Sequence, residues 1–271
     1  MIQELLRRYL VPDELETIIS SAPKPMGSLD YDRWGFNTET SRLGLGIAKR
    51  VYDHYFRTEA FGLENIPRQG RVLIISNHSG YLPIDAVLIG VALSTNPHGP
   101  RLPRAMMERF LPSVPYIGNL LNSVGAVVGE VQNCVEMLRQ EEAVMVFPEG
   151  VRGTGKGFDK RYQLQRFGNG FMHLAIETNT PIIPVGVVGC EESMPMFGNI
   201  TPLARALSIP YVPVALPAPL PAKVTIHFGQ SMRFHGPVQN EEAVTGYVNE
   251  VKAAINGLIG EGLVLREGRQ A

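Results

Sequence analysis

The sequence predicts an α/β fold: a mostly parallel central sheet flanked by helices, preceded by a helical extension over residues 1–60. Three observations carry this. Apolar runs such as Arg71-Val72-Leu73-Ile74-Ile75-Ser76, Ala143–Phe147 and Pro181–Gly189 are continuous rather than alternating, as in strands covered on both faces. Segments with helical spacing of apolar residues lie between these runs. The first two runs also pass directly into loops carrying Gly, Pro and charged residues, where open α/β sheets place their sites.

The elements follow in chain order. Met1–Leu10 lacks a basic segment followed by an apolar core, so it does not read as a secretory signal. Pro23, Pro25, Gly27 and Ser28 mark a loop. Arg42–Arg57 reads as a helix with Leu43, Ile47, Val51 and Tyr55 in one apolar stripe, expected to dock on the core. Residues 61–271 form the α/β domain. Strands are expected near 71–76, 103–107, 143–147, 182–188 and 222–228. Helices are expected near 84–94, 114–123, 130–140, 167–178 and 240–259, the last marked by Val244, Tyr247, Val248, Val251, Ile255 and Leu258.

Composition excludes several classes. A net charge of −1 gives no reason to expect a nucleic-acid partner. The two cysteines, Cys134 and Cys190, form neither a disulfide framework nor a metal cluster, and read as buried thiols in a reducing compartment. No charge falls between Arg109 and Glu130, and only Arg205 between Glu192 and Lys223. Prolines interrupt both stretches, so neither reads as a transmembrane helix. A cytoplasmic protein, peripheral on a membrane surface, is the expectation. The Pro-rich stretch 202–221, with Leu207, Ile209, Tyr211, Val212, Val214, Leu216 and Leu220, reads equally as a membrane-facing or acyl-channel segment or as a buried connection.

The richest stretch is Asn77-His78-Ser79-Gly80-Tyr81-Leu82-Pro83-Ile84-Asp85. It places a histidine and a carboxylate between a strand and a helix whose first turn suits Pro83. A carboxylate on one imidazole nitrogen fixes the tautomer and leaves the other nitrogen free to accept a proton. No Gly-x-Ser-x-Gly elbow occurs, and Ser79 is poorly placed to pair with its neighbour, so the base would act directly on a substrate hydroxyl. His54, His98, His173, His227 and His235 show no metal-ligand spacing, and no metal is expected.

A second block, Phe147-Pro148-Glu149-Gly150-Val151-Arg152-Gly153-Thr154-Gly155-Lys156-Gly157, combines glycines that admit close backbone approach with cations suited to phosphate. Arg152, Lys156, Lys160, Arg161 and Arg166 stand against Asp159 alone over residues 152–166, a local basic patch suited to phosphate, coenzyme A or anionic headgroups. Gly150-x4-Gly155-Lys156 imitates a nucleotide-hydrolase loop. Gly157 stands where that loop needs Ser or Thr for magnesium.

The NHSG…D, FPEGVRG and PIIPVGVVG blocks, in this order over roughly residues 60–235, resemble the glycerolipid acyltransferases, the lysophosphatidate and glycerol-3-phosphate acyltransferase group, in its HSG-x-LP-x-D form. The resemblance implies that family's fold and an O-acyl transfer from acyl-CoA or acyl-ACP to a lipid hydroxyl at a membrane surface, with no further cofactor. It implies His78 as general base and Asp85 as its orienting acid. Glu149, Gly150 and Arg152 match its substrate-binding block, which Lys156 extends. Backbone amides near Gly150 are expected to hold the oxyanion. Six residues separate His78 from Asp85 where the commoner pattern has four, and Pro83 takes the usual acid's place. Val124–Glu130 has no basic residue where the family carries one. A neutral acceptor, such as a mono- or diacylglycerol, therefore stands beside a phosphorylated one. A catalytically inactive lipid- or acyl-binding module is the alternative reading.

Overall fold

The computed structural model describes residues 11, 13–20, 31–113, 117–206 and 210–268. Met1–Leu10, the loop of Pro23 to Ser28, residues 114–116 of an expected helix, and Leu207 and Ile209 lie outside them.

Nine strands follow in the described residues: β1 Glu59–Phe61, β2 Val72–Ser76, β3 Pro103–Met107, β4 Ala126–Val128, β5 Ala143–Val146, β6 Ile182–Val188, β7 Met196–Asn199, β8 Pro213–Ala215 and β9 Thr225–Phe228. Seven form one sheet in the order β1-β9-β6-β2-β5-β3-β4, and β7 and β8 form a separate antiparallel hairpin. From β6 to β4 all neighbours are parallel; β9 is antiparallel to β6 and parallel to β1. Helices Ile84–Ser94, Ile117–Ser123, Val131–Arg139 and Gly170–Glu177 supply the crossovers that parallel strands require.

The continuous apolar runs are explained by burial on both faces, for every residue of β2 and β6 is buried. Alternate side chains sort into two cores. Leu73 and Ile75 of β2 join Val144, Ile182 and Val188 beneath the helices at 131–139, 170–177 and the carboxyl terminus. Val72 and Ile74 join Ala143, Met145, Ile183 and Val185 beneath the helix at 84–94.

Two helices differ from expectation. The segment Thr38–Arg50, continued by a π-turn over Val51–Tyr55, docks through Leu45, Ala48, Tyr52 and Phe56. The Leu43–Ile47–Tyr55 stripe stays outside, at 44%, 54% and 40% exposure. This helix carries two neighbouring apolar stripes, and the sheet takes the one with Tyr52 and Phe56. The last helix runs over Glu241–Glu267, beyond the expected end near 259. Gly262 lies past that expected end, and a side chain there would come within 2.8 Å of Val188 and 3.0 Å of His227. That glycine serves close packing on the sheet.

Candidate active site

The site arises from strand register. β2 and β5 are adjacent and parallel, with Ile75 paired to Val146. His78 and Glu149 each stand three residues beyond that pair, so the two strand-end loops meet above the same edge. The His78 ring stacks on Phe147 at 4.3 Å between centroids, and the His78 N–H donates to Glu149 Oε1 at 2.9 Å. On the other side, Asn77 bridges to β6: its Nδ2 donates to the Val187 carbonyl at 3.0 Å, and its Oδ1 accepts from the Val187 N–H at 2.8 Å. The buried Asn77 thereby fixes where the chain leaves the sheet.

His78 and Asp85 come together despite the long spacing. Asp85 lies in the first turn of the helix at 84–94, fully buried, and its Oδ2 is 2.7 Å from His78 Nδ1. That oxygen also accepts from the Ser79 N–H at 2.8 Å, and Oδ1 accepts from the Ala86 N–H at 2.8 Å. A carboxylate only accepts, so His78 donates from Nδ1, and Nε2 is the nitrogen left able to accept a proton. The His78 side chain is 12% exposed, so this nitrogen is approachable from outside. Ser79 is fully buried with Oγ 3.4 Å from Asp85 Oδ2, a supporting position rather than a nucleophile's.

The second block divides by function. Glu149 is buried, and its oxygens accept from the His78 N–H and, at 2.7 Å, from the Gln165 N–H. The expectation that it contacts substrate gives way to a bracing role, because both oxygens are engaged by backbone. Gly150 has φ +54° and its N–H closes a turn onto the Phe147 carbonyl at 3.0 Å, so that amide is not a free oxyanion donor. Gly153 lets this turn lie against the base: a side chain there would reach 2.9 Å from His78 Cβ. Lys156 gives way likewise, its side chain 4% exposed and ion-paired to buried Glu191 at 2.6 Å. Burial raises the Glu191 carboxyl above its ordinary range. Arg152 stays exposed; its N–H donates to the Glu149 carbonyl at 3.3 Å, and among the described residues its guanidinium makes no hydrogen bond or ion pair.

An apolar cavity of about 490 Å³ runs from this site, a size suited to a small ligand or chain. His78, Phe147, Gly150 and Glu108 line one end. Val87, Gly90, Met107 and Met145 line it as well, and Leu45 and Ala48 of the helix at 38–50 also wall it. It follows the strands towards their amino ends, where Arg104 lies ion-paired to Asp32 and Glu142 at 2.6 and 2.5 Å. No residue of 202–221 lines the cavity among those described, so the acyl-channel reading of that stretch is not supported. Leu203, Val214, Leu216 and Leu220 are exposed instead, which also sets aside the buried connection for them.

Two further residues reach the site. Glu108 directly follows β3 and lies against Gly150. The Tyr211 ring lies over Gly155, its hydroxyl hydrogen-bonded to Thr154 and its pKa raised by burial, then by Asp85 and Glu108. Glu108 stands one residue beyond a strand's carboxyl end, the same rule that finds His78. Tyr211 had no comparable signal, since it arrives from a loop remote in sequence.

Comparison with known proteins agrees with this geometry. Residues 57–188 match the model of the Acyltransferase family. An uncharacterized protein of Mycobacterium tuberculosis is 35% identical over 215 residues, covering 75% of this chain and 60% of that protein. A human protein named as a DGAT1/2-independent enzyme synthesizing storage lipids is 28% identical over 202 residues, covering 73% of this chain and 60% of its own length. The chain thus spans about 60% of the length of these relatives. The 1-acyl-sn-glycerophosphate acyltransferase PlsC of Thermotoga maritima shares the fold, with a TM-score of 0.57, 18% identity, and coverage of 82% of this chain and 80% of that one. The chain carries an Acyltransferase-family domain on the mostly parallel sheet common to that structure.

Proposed function

We propose that this protein is an O-acyltransferase moving a fatty acyl group from acyl-CoA or acyl-ACP to a hydroxyl of a glycerolipid or related lipid. The observation that carries this reading is the His78–Asp85 pair, with Nε2 free, at the end of an apolar cavity. The acyl chain lies in the cavity with its thioester carbonyl beside His78. Nε2 takes the proton of the acceptor hydroxyl as that oxygen attacks the carbonyl carbon. The C–O bond forms, the C–S bond breaks, and the imidazolium returns the proton to the departing thiolate. Asp85 stabilises the imidazolium while it exists. No enzyme nucleophile is required.

The exposed Arg152, with Lys160, Arg161 and Arg166 nearby in sequence, suits the phosphates of the donor. Among the described residues no helix is long and apolar enough to cross a membrane. The exposed Leu43, Ile47 and Tyr55, with Leu82 and Val87 beside the catalytic loop, support a peripheral position on a membrane surface. The human relative's name, which speaks of storage lipids, agrees with a lipid acceptor.

The test is thiol release with acyl thioesters and a panel of lipid acceptors, using His78→Ala as the reference. Loss of general-base catalysis is expected to lower turnover about 10²–10⁴-fold with the fold unchanged. Retained turnover sinks the mechanism. Donor binding without thiol release in the native protein would instead identify a lipid-binding module.

A further inference from the structure

The acyl-transfer reading leaves the acceptor's headgroup open, and Glu108 addresses it. This residue leaves β3 immediately after Met107, and β3 lies beside β5, with Ala105 opposite Met145. Its side chain therefore reaches the turn that follows β5. A Cβ built on Gly150 would lie 2.7 Å from Glu108 Oε1, so the carboxylate occupies the space that this glycine leaves empty. Glu108 lines the same cavity end as His78, Phe147 and Gly150. It is exposed, and among the described residues no basic side chain pairs with it. The other carboxylates of the site are engaged, Asp85 by His78 and Glu149 by two backbone N–H groups. Glu108 alone is left to meet a ligand.

We propose, resting on the acyl-transfer reading, that Glu108 sets acceptor specificity: the site takes a neutral lipid polyol of the monoacylglycerol type and rejects its phosphorylated counterpart. A free hydroxyl of a neutral glyceride donates a hydrogen bond to this carboxylate, a charge-assisted contact that also turns the second hydroxyl towards His78 Nε2. A phosphate monoester presents only like charge and acceptor oxygens to it. Rejection of the wrong acceptor is then built from repulsion as well as attraction. Arg152, two residues past Gly150, is exposed, its guanidinium has no partner among the described residues, and it remains available to the donor's phosphates.

The experiment pairs two acceptors of one chain length, a monoacylglycerol and a lysophosphatidate, against native protein, Glu108→Gln and Glu108→Lys. The native protein is expected to give the higher kcat/KM with the neutral acceptor. Glu108→Gln should shrink that preference about tenfold, and Glu108→Lys should reverse it, because the charge at the contact changes by one and then two units. In a parallel arm, non-hydrolysable ether analogues of both acceptors are bound to His78→Ala with and without Glu108→Gln. Preference of the native protein for lysophosphatidate overturns the proposal, as does an equal change of both acceptors in the Glu108 variants. If no protein transfers acyl groups to either acceptor, the acyl-transfer reading falls, and the binding arm still decides Glu108. A neutral preference lost with Glu108→Gln upholds its selective role, and equal affinities refute it.

Discussion

Replacing Gly90 by Leu tests whether the cavity holds the acyl chain. Gly90 lies within the helix at 84–94, seven residues into an eleven-residue element, and lines the cavity that also holds His78 and Arg104. A Cβ there meets only Pro103 Cγ at 4.0 Å, an ordinary contact, so the added side chain projects without a clash at its base. The four carbons of leucine displace about four methylenes of a bound chain. At about 0.8 kcal/mol per buried CH₂, long chains lose about 3 kcal/mol. Each 1.4 kcal/mol is tenfold, so discrimination against them is on the order of 100-fold. The fold should gain, because glycine inside a helix costs about 1 kcal/mol relative to good helix formers.

The assay is kcat/KM for a series of saturated acyl thioesters of increasing length with one acceptor, followed by thiol release, and Tm by calorimetry. The optimum should move to shorter chains by about four carbons, with short-chain turnover nearly unchanged. Tm should hold or rise by about 2–4 °C. An unchanged length preference, or an equal loss at every length, would refute the placement of the chain in this cavity.

Other consequences are sharp enough to measure. Asp85→Asn loses the charge that fixes the His78 tautomer and keeps an oxygen for only one of the Ser79 and Ala86 N–H groups, which bond different carboxylate oxygens; turnover should fall about 10²–10⁴-fold, with a stability loss of about 1–3 kcal/mol read from Tm. Ile47→Glu places a charge on the 54%-exposed position of the outer helical stripe; cosedimentation with phospholipid vesicles should drop about tenfold or more, while turnover of a water-soluble acceptor is retained. Lys156→Met leaves Glu191 buried without its cation, and urea denaturation should show a loss of about 3–5 kcal/mol at neutral pH. The Glu191 pKa is raised by burial, so the penalty belongs to the ionised form. The loss should be full above that folded pKa and shrink as pH falls through it, because the native state then takes up the proton.

The sheet was legible because its strands are buried on both faces, which writes them as unbroken apolar runs. β1, β4, β7 and β8 were not expected as strands; each is only three or four residues long, and β1 and β4 lie at the sheet's edges. The docking face of the helix at 38–50 was misjudged for a different reason. Stripes 43-47-51-55 and 45-48-52-56 are both apolar, and only the tertiary partner chooses between them. His78 and Asp85 were legible as a pair, since both lie within nine residues of one strand end. Glu149 and Lys156 were legible in position and not in function, because nothing in their own segment names Gln165, the His78 amide or Glu191 as partners.

The same partners explain how a histidine and an aspartate seven positions apart form a working pair. A longer loop has more freedom, and left alone it would let the imidazole wander. Here it is held at both ends: Asn77 ties its start to β6, and Glu149 ties the His78 backbone to the loop after β5. Asp85 then closes it from the helix, bonded at once to the His78 ring and to the Ser79 amide. Three strand ends thus fix one ring, and removal of any single clamp should cost turnover before it costs the fold. The two carboxylates used as clamps are buried and satisfied, so Glu108 is the carboxylate of this cavity end left to meet a substrate directly. On the acyl-transfer reading, such a site suits a neutral hydroxyl beside His78 and leaves the donor's phosphates to the exposed Arg152.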